Sequence, residues 1–511
     1  MFRNLLIADL ASDIGTFMQS VGAAWLMVSL GASTAAIALT QTAATLPFFL
    51  LALPAGAIGD IVDRRKLVLW TESWMVAVAV VLAAFTIAGR MTPWLLLALT
   101  FALAAGDAIE APSWRAILPE VVKHDDLASA SALSGLEFNV ARAVGPALAG
   151  VIIVSFGIGA AFALNVVSFF GVIVVVWRWR RAARHRTTPP ETLGGATVAA
   201  IRYVNNSPVV RGLMVRAGVT SFFVSGLLAL LPALARNVSG GAAGFGVLLG
   251  SFGGGAVFGA LLLQPARARW SSETVASTGV LILGLTIAAS AVAHGLAVLT
   301  ALMVVGGAAW IVFIALLNTL VQYLAPDWVR ARVLAVFLLT FQGGLALGSA
   351  FWGVVAERVG ISQALLWAGL GTVATLAVRR LARLPDATGD VSPWNHWRMP
   401  AIVKDLRLEG DAGPVLVTIE YVIDPAHRRA FLHAIHEYRK MRRRDGASQW
   451  GVFRDIERPD VYLETFQIGS WAEHLRQHDR VTRDDQELED RLRRTVRDEP
   501  VIRHLVYPGR E

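Results

Sequence analysis

The chain alternates long apolar blocks with short polar breaks, and the blocks run to roughly 20 residues or more. A helix of about 20 residues crosses a hydrocarbon layer of ~30 Å, whereas strands of a soluble sheet need much shorter runs. The pattern therefore predicts an all-α membrane protein. Twelve spans are read, at about 5–30, 35–59, 67–89, 93–111, 128–155, 158–177, 210–235, 243–264, 274–293, 295–318, 332–355 and 361–379. An offset of 203 residues relates the two sets of six. It pairs Gly145, Gly150 and Gly157 with Gly348, Gly353 and Gly360, and Asn139 with Gln342. It also pairs Gly15 with Gly218, Gly56 with Gly259, Arg64 with Arg267 and Lys66 with Arg269. One register shared by several apolar segments marks two six-helix pseudo-repeats.

The breaks between spans orient and divide the chain. On one side they hold Arg64, Arg65, Lys66, Arg115, Lys123, Arg178, Arg180, Arg181, Arg184, Arg186, Arg202, Arg211, Arg267, Arg269, Arg330 and Arg332. The other side holds Arg90, Arg236 and Arg358. Basic loops stay in the cytoplasm, which places both termini there. Residues 1–178 form the first bundle, 179–209 a basic cytoplasmic linker with Pro189 and Pro190, and 210–380 the second bundle. Residues 381–412 form another linker, where Pro385, Pro393 and Pro400 discourage regular structure. Its Trp394-Asn-His-Trp-Arg398 stretch is read either as an interfacial anchor or as a strap docked on the next domain.

From 413 to 511 the pattern changes from long blocks to period-2 alternation and short charged helices. Residues 415–422, 450–456, 461–468 and 501–506 read as strands. Helices are expected over 425–441, from a Ser470 cap towards Arg480, and onwards to about Val496. The order βαββαβ predicts a small α+β ferredoxin-like domain in the cytoplasm.

Composition agrees with a membrane protein. Hydrophobic residues make up 55% of 511 positions and charged residues 16%, against about a quarter in ordinary soluble domains. The absence of cysteine excludes disulfides and thiolate metal sites. The net charge of +8 is explained by arginines flanking spans, so nucleic acid is not an expected partner. Asp9 and Asp13 interrupt the first apolar run, which argues against a cleavable signal.

Polar groups inside spans are the candidate chemistry, because a charged side chain at the membrane centre costs roughly 2.5–3.5 kcal/mol on insertion scales. Asp9, Asp13, Thr16 and Ser20 share one face of the first span, the spacing expected of a wet cavity. Asp13 is read as a proton or substrate group, or else as one half of a fixed ion pair; Asp9 lies nearer the interface. Arg142 shares a face of the fifth span with Asn139 and Gly135, while its counterpart in the repeat is Leu345. It either meets an anionic group or ties the fifth span to its neighbours. Asp107 and Glu110 at the inner end of the fourth span are expected to pair with Arg115 or Arg65.

The loop Gly56-Ala-Ile-Gly-Asp60-Ile-Val-Asp63-Arg64-Arg65-Lys66 is suited to bracing an inner gate through charges and helix dipoles. It resembles the loop between the second and third spans of the major facilitator superfamily. Gly56, Asp60, Arg64 and Arg65 match that motif, and Ile61 and Asp63 depart from it. Gly145-Pro146 with Gly150 resembles the fifth-span signature of the antiporter branches. The stretches Ala111-Pro-Ser-Trp-Arg-Ala-Ile-Leu-Pro-Glu120, Asn139-Val-Ala-Arg-Ala-Val-Gly-Pro146 and Ala325-Pro-Asp-Trp-Val-Arg-Ala-Arg332 resemble the transmembrane secretion effectors, which include relatives of the enterobactin exporter. Ala102 stands where many drug–proton antiporters of the superfamily carry an arginine, so their usual proton route is not implied. The last hundred residues resemble the antibiotic-biosynthesis monooxygenase modules, which are dimeric.

The resemblance implies a secondary active exporter in the inner membrane, driven by proton antiport, with a siderophore, drug or metabolite as cargo. Asp13, Arg142, Asn139 and Gln342 are the residues expected at the substrate or coupling site. Gly56, Asp60, Asp63, Arg64, Arg65, Asp107 and Arg115 are those expected at the cytoplasmic gate. Gly145, Pro146, Gly150, Gly348 and Gly353 are expected in close helix packing, as is Gly253-Gly-Gly255. Expected partners are the small-molecule substrate, protons and membrane lipid, with a homodimer through the C-terminal domain. Catalysis by that domain, or ligand sensing that regulates the spans, is the alternative. No cofactor is expected, since no glycine-rich phosphate loop follows a strand. His427, His433 and His436, and the pair His474 and His478, read as solvated or dimer-facing, because no carboxylate at ligand spacing completes a metal set.

Overall fold

The computed structural model describes residues 1–179, 193–236, 241–380, 383–386, 390–392, 394 and 412–507. Arg180, Arg181, Arg184, Arg186, Pro393, Pro400 and residues 395–398 lie outside them. Among the described residues, thirteen α-helices precede the first strand: α1 (Phe2–Ser29), α2 (Thr34–Ile61), α3 (Arg64–Ile87), α4 (Pro93–Val121), α5 (Leu127–Phe156), α6 (Ile158–Arg178), α7 (Leu193–Asn206), α8 (Pro208–Arg236), α9 (Gly241–Arg269), α10 (Ser272–Ser290), α11 (Leu296–Leu324), α12 (Asp327–Val359) and α13 (Ile361–Ala374). Among the described residues, eleven helical segments are long and apolar enough to cross a membrane. Helix α1 is not one of them. Its 28 residues suffice in length, but Asp9 and Asp13 lower its apolar character.

Helix ends follow local chemistry. Ser33, Thr92 and Ser271 each accept a hydrogen bond from the backbone amide three residues on, which satisfies an otherwise orphaned donor. Two helices outrun their apolar stretches. Hydropathy ends the fourth span near residue 111, yet α4 continues to Val121, and α12 starts at Asp327 rather than at residue 332. Polar residues end the membrane-compatible run without ending the helix.

The chain divides into two compact units, one of Met1–Pro189, Met214–Asn318 and Phe337–Asp386, the other of Pro190–Leu213, Thr319–Val336 and Ala387–Glu511. In the first, α1 packs on α5 and α6, α2 on α4, α3 on α4 and α6, α5 on α9, and α10 on α13. Its interior includes Met27, Leu82, Leu96 and Phe162, all fully buried. Large apolar side chains also face outwards, among them Val151, Val154, Phe156, Val167 and Leu261. An exposed apolar surface of this extent suits lipid rather than water.

Helices α5 and α9 cross at backbone contact. A Cβ added to Gly246 would lie 2.8 Å from the Pro146 carbonyl oxygen, and one on Gly253 would lie 2.7 Å from that of Arg142. Only glycine permits that approach. Elsewhere Gly145 meets Phe17 and Ile14 of α1, Gly150 meets Ala243 of α9, Gly348 meets Phe222 of α8, and Gly353 meets Ala35 and Ala38 of α2.

The second unit holds a four-stranded antiparallel sheet of β1 (Val415–Val422), β2 (Ser448–Arg454), β3 (Val461–Ile468) and β4 (Val501–Val506), in the order β2-β3-β1-β4. Helices α14 (Arg428–Asp445), α15 (Trp471–Arg480) and α16 (Arg483–Arg493) complete it. Strand β1 alternates buried and half-buried positions, so Val415, Val417, Ile419 and Tyr421 enter a core with Phe431, Ile435 and Phe466. Ser470 caps α15 through the Glu473 amide, and Thr482 with Asp485 forms a capping box on α16. The linker read over 179–209 contains a helix, α7, which packs on α14. Residues 390–392 and Trp394 are docked as a strap: the amides of Trp394, Arg483 and Asp484 bond to the carbonyls of Val481, Ser392 and Asp390.

Candidate functional site

Carboxyl groups converge inside the first unit, from α1, α3, α4 and α5. Asp9 accepts a hydrogen bond from the Trp114 indole at 3.1 Å. Asp13, one turn on, has Asp9, Glu137, Asp107 and Arg142 as its charged neighbours. Thr71 donates to Glu110 at 2.5 Å, and the Glu110 carboxyl abuts that of Glu72. Glu72, Glu110 and Glu137 are all buried, and one oxygen each of Glu72 and Glu137 makes no hydrogen bond. Six acidic side chains thus share one region with two guanidiniums, Arg115 beside Asp107 and Arg142 beside Asp13; Arg142 also lies 4.9 Å from the Phe138 ring centroid. Leaving polar atoms dry and unpaired costs about 1–3 kcal/mol each, so the arrangement is expensive unless it holds protons or a ligand.

Several expectations take a different form. Asn139 donates to the Gly135 carbonyl of its own helix at 2.7 Å. Gln342 is half-buried on α12, and no described contact brings it to the α1–α5 cluster. Asp13 and Arg142 are neighbours without an ion pair. Asp107 is exposed and stands two turns from Arg115 on the same helix, again without an ion pair.

Of the expected pairings of Asp107 or Glu110 with Arg65 or Arg115, Asp107 keeps Arg115 as a charged neighbour, whereas Glu110 meets Thr71 and Glu72 and Arg65 turns elsewhere. Arg64 bonds to Glu120 at 2.7 Å and to the Ala116 carbonyl at 3.3 Å. Arg65 donates to the Val176 and Trp177 carbonyls at the end of α6, at 3.1 and 2.5 Å. The Val176 carbonyl also accepts from the capping Trp179 amide at 3.2 Å, and a cation at this helix end serves both hydrogen bonding and the helix dipole. Asp63 caps α3, accepting from the Lys66 amide at 3.1 Å. Gly56 and Asp60 sit on α2, and their side chains lie outside the described residues.

Sequence reading missed Glu72, Glu137 and a buried fork in the second half of the bundle. Arg216, 3% exposed, binds both oxygens of Glu273 at 2.6 and 2.9 Å. The Glu273 carboxylate also accepts from Ser277 and from the Leu384 amide. The signal available was an uncompensated charge within each apolar block.

In the second unit, His427, His433 and His436 are exposed. His474 and His478 are buried, which corrects the solvated reading, and His504 of β4 joins them. Burial and the neighbouring His504 and His478 push His474 down to about 3. Arg202 of α7 and Arg480 both bind Glu473, at 3.1 and 2.6 Å, and hold its carboxyl low, at about 2, against the effect of burial. Glu464 is fully buried and accepts from Tyr421, Trp450 and Arg442 at 2.9, 2.8 and 3.3 Å.

Comparison with known proteins adds identity to this geometry. The family described as transmembrane secretion effectors matches residues 1–511. The multidrug efflux pump Tap of Mycobacterium tuberculosis is 26% identical over 403 residues, 76% of this chain and 94% of its own. The staphyloferrin A transporter of Staphylococcus aureus is 26% identical over 166 residues, 32% of this chain and 41% of its own. A POT family transporter solved with a thioalcohol-conjugated peptide superposes with a TM-score of 0.61 at 11% identity, over 74% of this chain and 95% of that one. An inward-facing, unoccupied bacterial homolog of the lysosomal transporter Spinster gives 0.57 at 16% identity, over 74% and 93%. These two structural likenesses speak for the fold alone.

Proposed function

Because the chain belongs to the transmembrane secretion effector family of major facilitator transporters, we propose that it exports a small molecule by proton antiport and alternating access. The family consists of transporters and not enzymes. The observation that carries the reading is the cluster of Asp9, Asp13, Glu72, Asp107, Glu110 and Glu137, with Arg142 beside Asp13 and Arg115 beside Asp107. Glu72 and Glu110, buried and in contact, can hold a proton between them, and Asp13 is flanked by Asp9, Asp107, Glu137 and Arg142. The excess of acid over base suits a cationic, amphipathic cargo, in line with the multidrug relative. The arginine-bearing breaks support an inner-membrane position with both termini in the cytoplasm.

We further read α1 as the twelfth span, its polar face turned to the carboxyl cluster. Two six-helix pseudo-repeats are supported by glycine contacts that recur at the 203-residue offset. Gly145 meets α1 and Gly348 meets α8, while Gly150 meets α9 and Gly353 meets α2. Arg64 and Arg65 would brace the cytoplasmic gate by tying α3 to the ends of α4 and α6. The strand order supports a ferredoxin-like tail, with dimerisation through it as a further proposal.

The test is substrate-induced proton flux in proteoliposomes, with lipophilic cations, siderophores and amphipathic antibiotics as the panel. Flux with one class, lost in Asp13→Asn protein that remains folded, is the expected result. Normal export by Asp13→Asn under a pH gradient would remove Asp13 as the coupling acid.

A further inference from the structure

Strand β4 carries His504 alongside His474 and His478 of α15, and one ligand nitrogen from each lies within 4.8 Å of the others. The two helix histidines stand one turn apart and present Nε2 atoms 3.4 Å from each other. That is long for a hydrogen bond between nitrogens. It equals the edge of a tetrahedron with zinc–nitrogen bonds of 2.0–2.1 Å, roughly 3.3–3.4 Å. We propose that His474, His478 and His504 bind a divalent transition-metal ion of the zinc class, joining α15 to the edge strand β4.

The surroundings fit the donor set. His474 is 2% exposed, and its Nδ1 makes no hydrogen bond. Gln477 is fully buried, with its amide beside the His474 ring. A metal on Nε2 of His474 fixes the proton on Nδ1, and the Gln477 carbonyl oxygen is then the acceptor at hand. Ligating histidines usually have such a partner on the second nitrogen. Trp471 closes one side, with its ring 5.4 Å from His474 and 6.5 Å from His504.

Three neutral imidazoles without carboxylate or thiolate favour zinc, copper or nickel over magnesium or calcium. His504 is half-buried on the edge strand, so its ring can rotate to close the remaining distance. Water would fill the fourth position, as in three-histidine zinc sites generally. The same helix carries Glu473, which binds Arg202 of α7, and Arg480, whose guanidinium lies over the Trp328 ring at 4.5 Å. The ion would therefore fix the helix from which those contacts are made.

The experiment uses full-length protein in detergent, purified without a histidine tag and stripped with chelator. Zinc is titrated against a chromophoric competitor, and cobalt(II) is added separately to read coordination from its visible absorption. One zinc per chain is expected, together with intense cobalt bands of tetrahedral type. His504→Gln should weaken zinc by at least about tenfold. The exposed His427→Gln should bind as the parent does. His504→Gln is the decisive variant, because its half-buried edge position tolerates change if His474→Gln fails to fold. Absence of saturable zinc binding in folded parent protein, or zinc and cobalt behaviour unchanged in His504→Gln, overturns the proposal.

Discussion

Arg64 reaches Glu120 at 2.7 Å, pinning the first residue of α3 to the last turn of α4. Both side chains are mostly shielded, 23% and 10% exposed, so solvent screens the pair less than a surface bridge. Loss of one partner should cost about 1–3 kcal/mol, the scale of a charged hydrogen bond left unmade. Glu120→Gln is expected to lower thermal stability in detergent and slow transport. Arg64→Glu combined with Glu120→Arg should recover part of both. If the charge swap behaves no better than the single changes, the pair is not the source of the effect.

That contact also marks what the sequence can and cannot convey. The helices were legible because apolar blocks of span length impose them, and β1 because alternation from Val415 to Val422 leaves no other face to bury. Local chemistry was legible too: Ser470 caps its helix as expected. Glu120 was not, since hydropathy falls before the helix stops. Helix α7 hid in a basic, proline-bearing stretch that reads as linker. The meetings of Glu72 with Glu110 and of His504 with His474 join separate elements, and periodicity orders residues only within one element. The tail histidines looked solvated for that reason.

The buried Arg216–Glu273 fork yields a double-mutant prediction. Arg216→Leu leaves the Glu273 carboxylate without its guanidinium; because that carboxylate is partly exposed and keeps Ser277 and the Leu384 amide, the cost should be about 1–3 kcal/mol, below that of a fully buried pair. Arg216→Leu with Glu273→Leu should regain much of that stability, because no charge then remains unpaired. Arg216→Lys keeps the charge but not the two parallel bonds, and should fall between. Thermal unfolding of the parent, Arg216→Leu, Glu273→Leu, the double variant and Arg216→Lys in one detergent measures the coupling.

Glu110 offers a test of the carboxyl cluster separate from Asp13. Thr71→Val removes the hydroxyl that donates to Glu110 and little volume, so folding should persist. Proton flux per substrate exported should change in Thr71→Val and fall to background in Glu110→Gln. Equal proton stoichiometry in parent and Glu110→Gln protein would place coupling elsewhere in the bundle.

The α5–α9 crossing supplies the sharpest contrast between neighbours. A Cβ at Gly253 would meet the Arg142 carbonyl oxygen at 2.7 Å and the Ala143 Cα at 3.0 Å, and backbone atoms cannot yield as a flexible side chain would. At Gly254, one residue on, nothing lies within 4 Å. Gly253→Ala should therefore force the helices apart, at a cost of about 1–3 kcal/mol or more. Gly254→Ala should be neutral or slightly stabilising, since alanine also lowers the entropy of the unfolded helix. Because the displaced helix is the one carrying Glu137, Asn139 and Arg142, Gly253→Ala should impair transport beyond its effect on melting temperature. Measuring both variants for thermal stability and proton-coupled export separates packing from chemistry. Matching losses at the two glycines would show that the sensitivity lies in the helix as a whole and not in this contact.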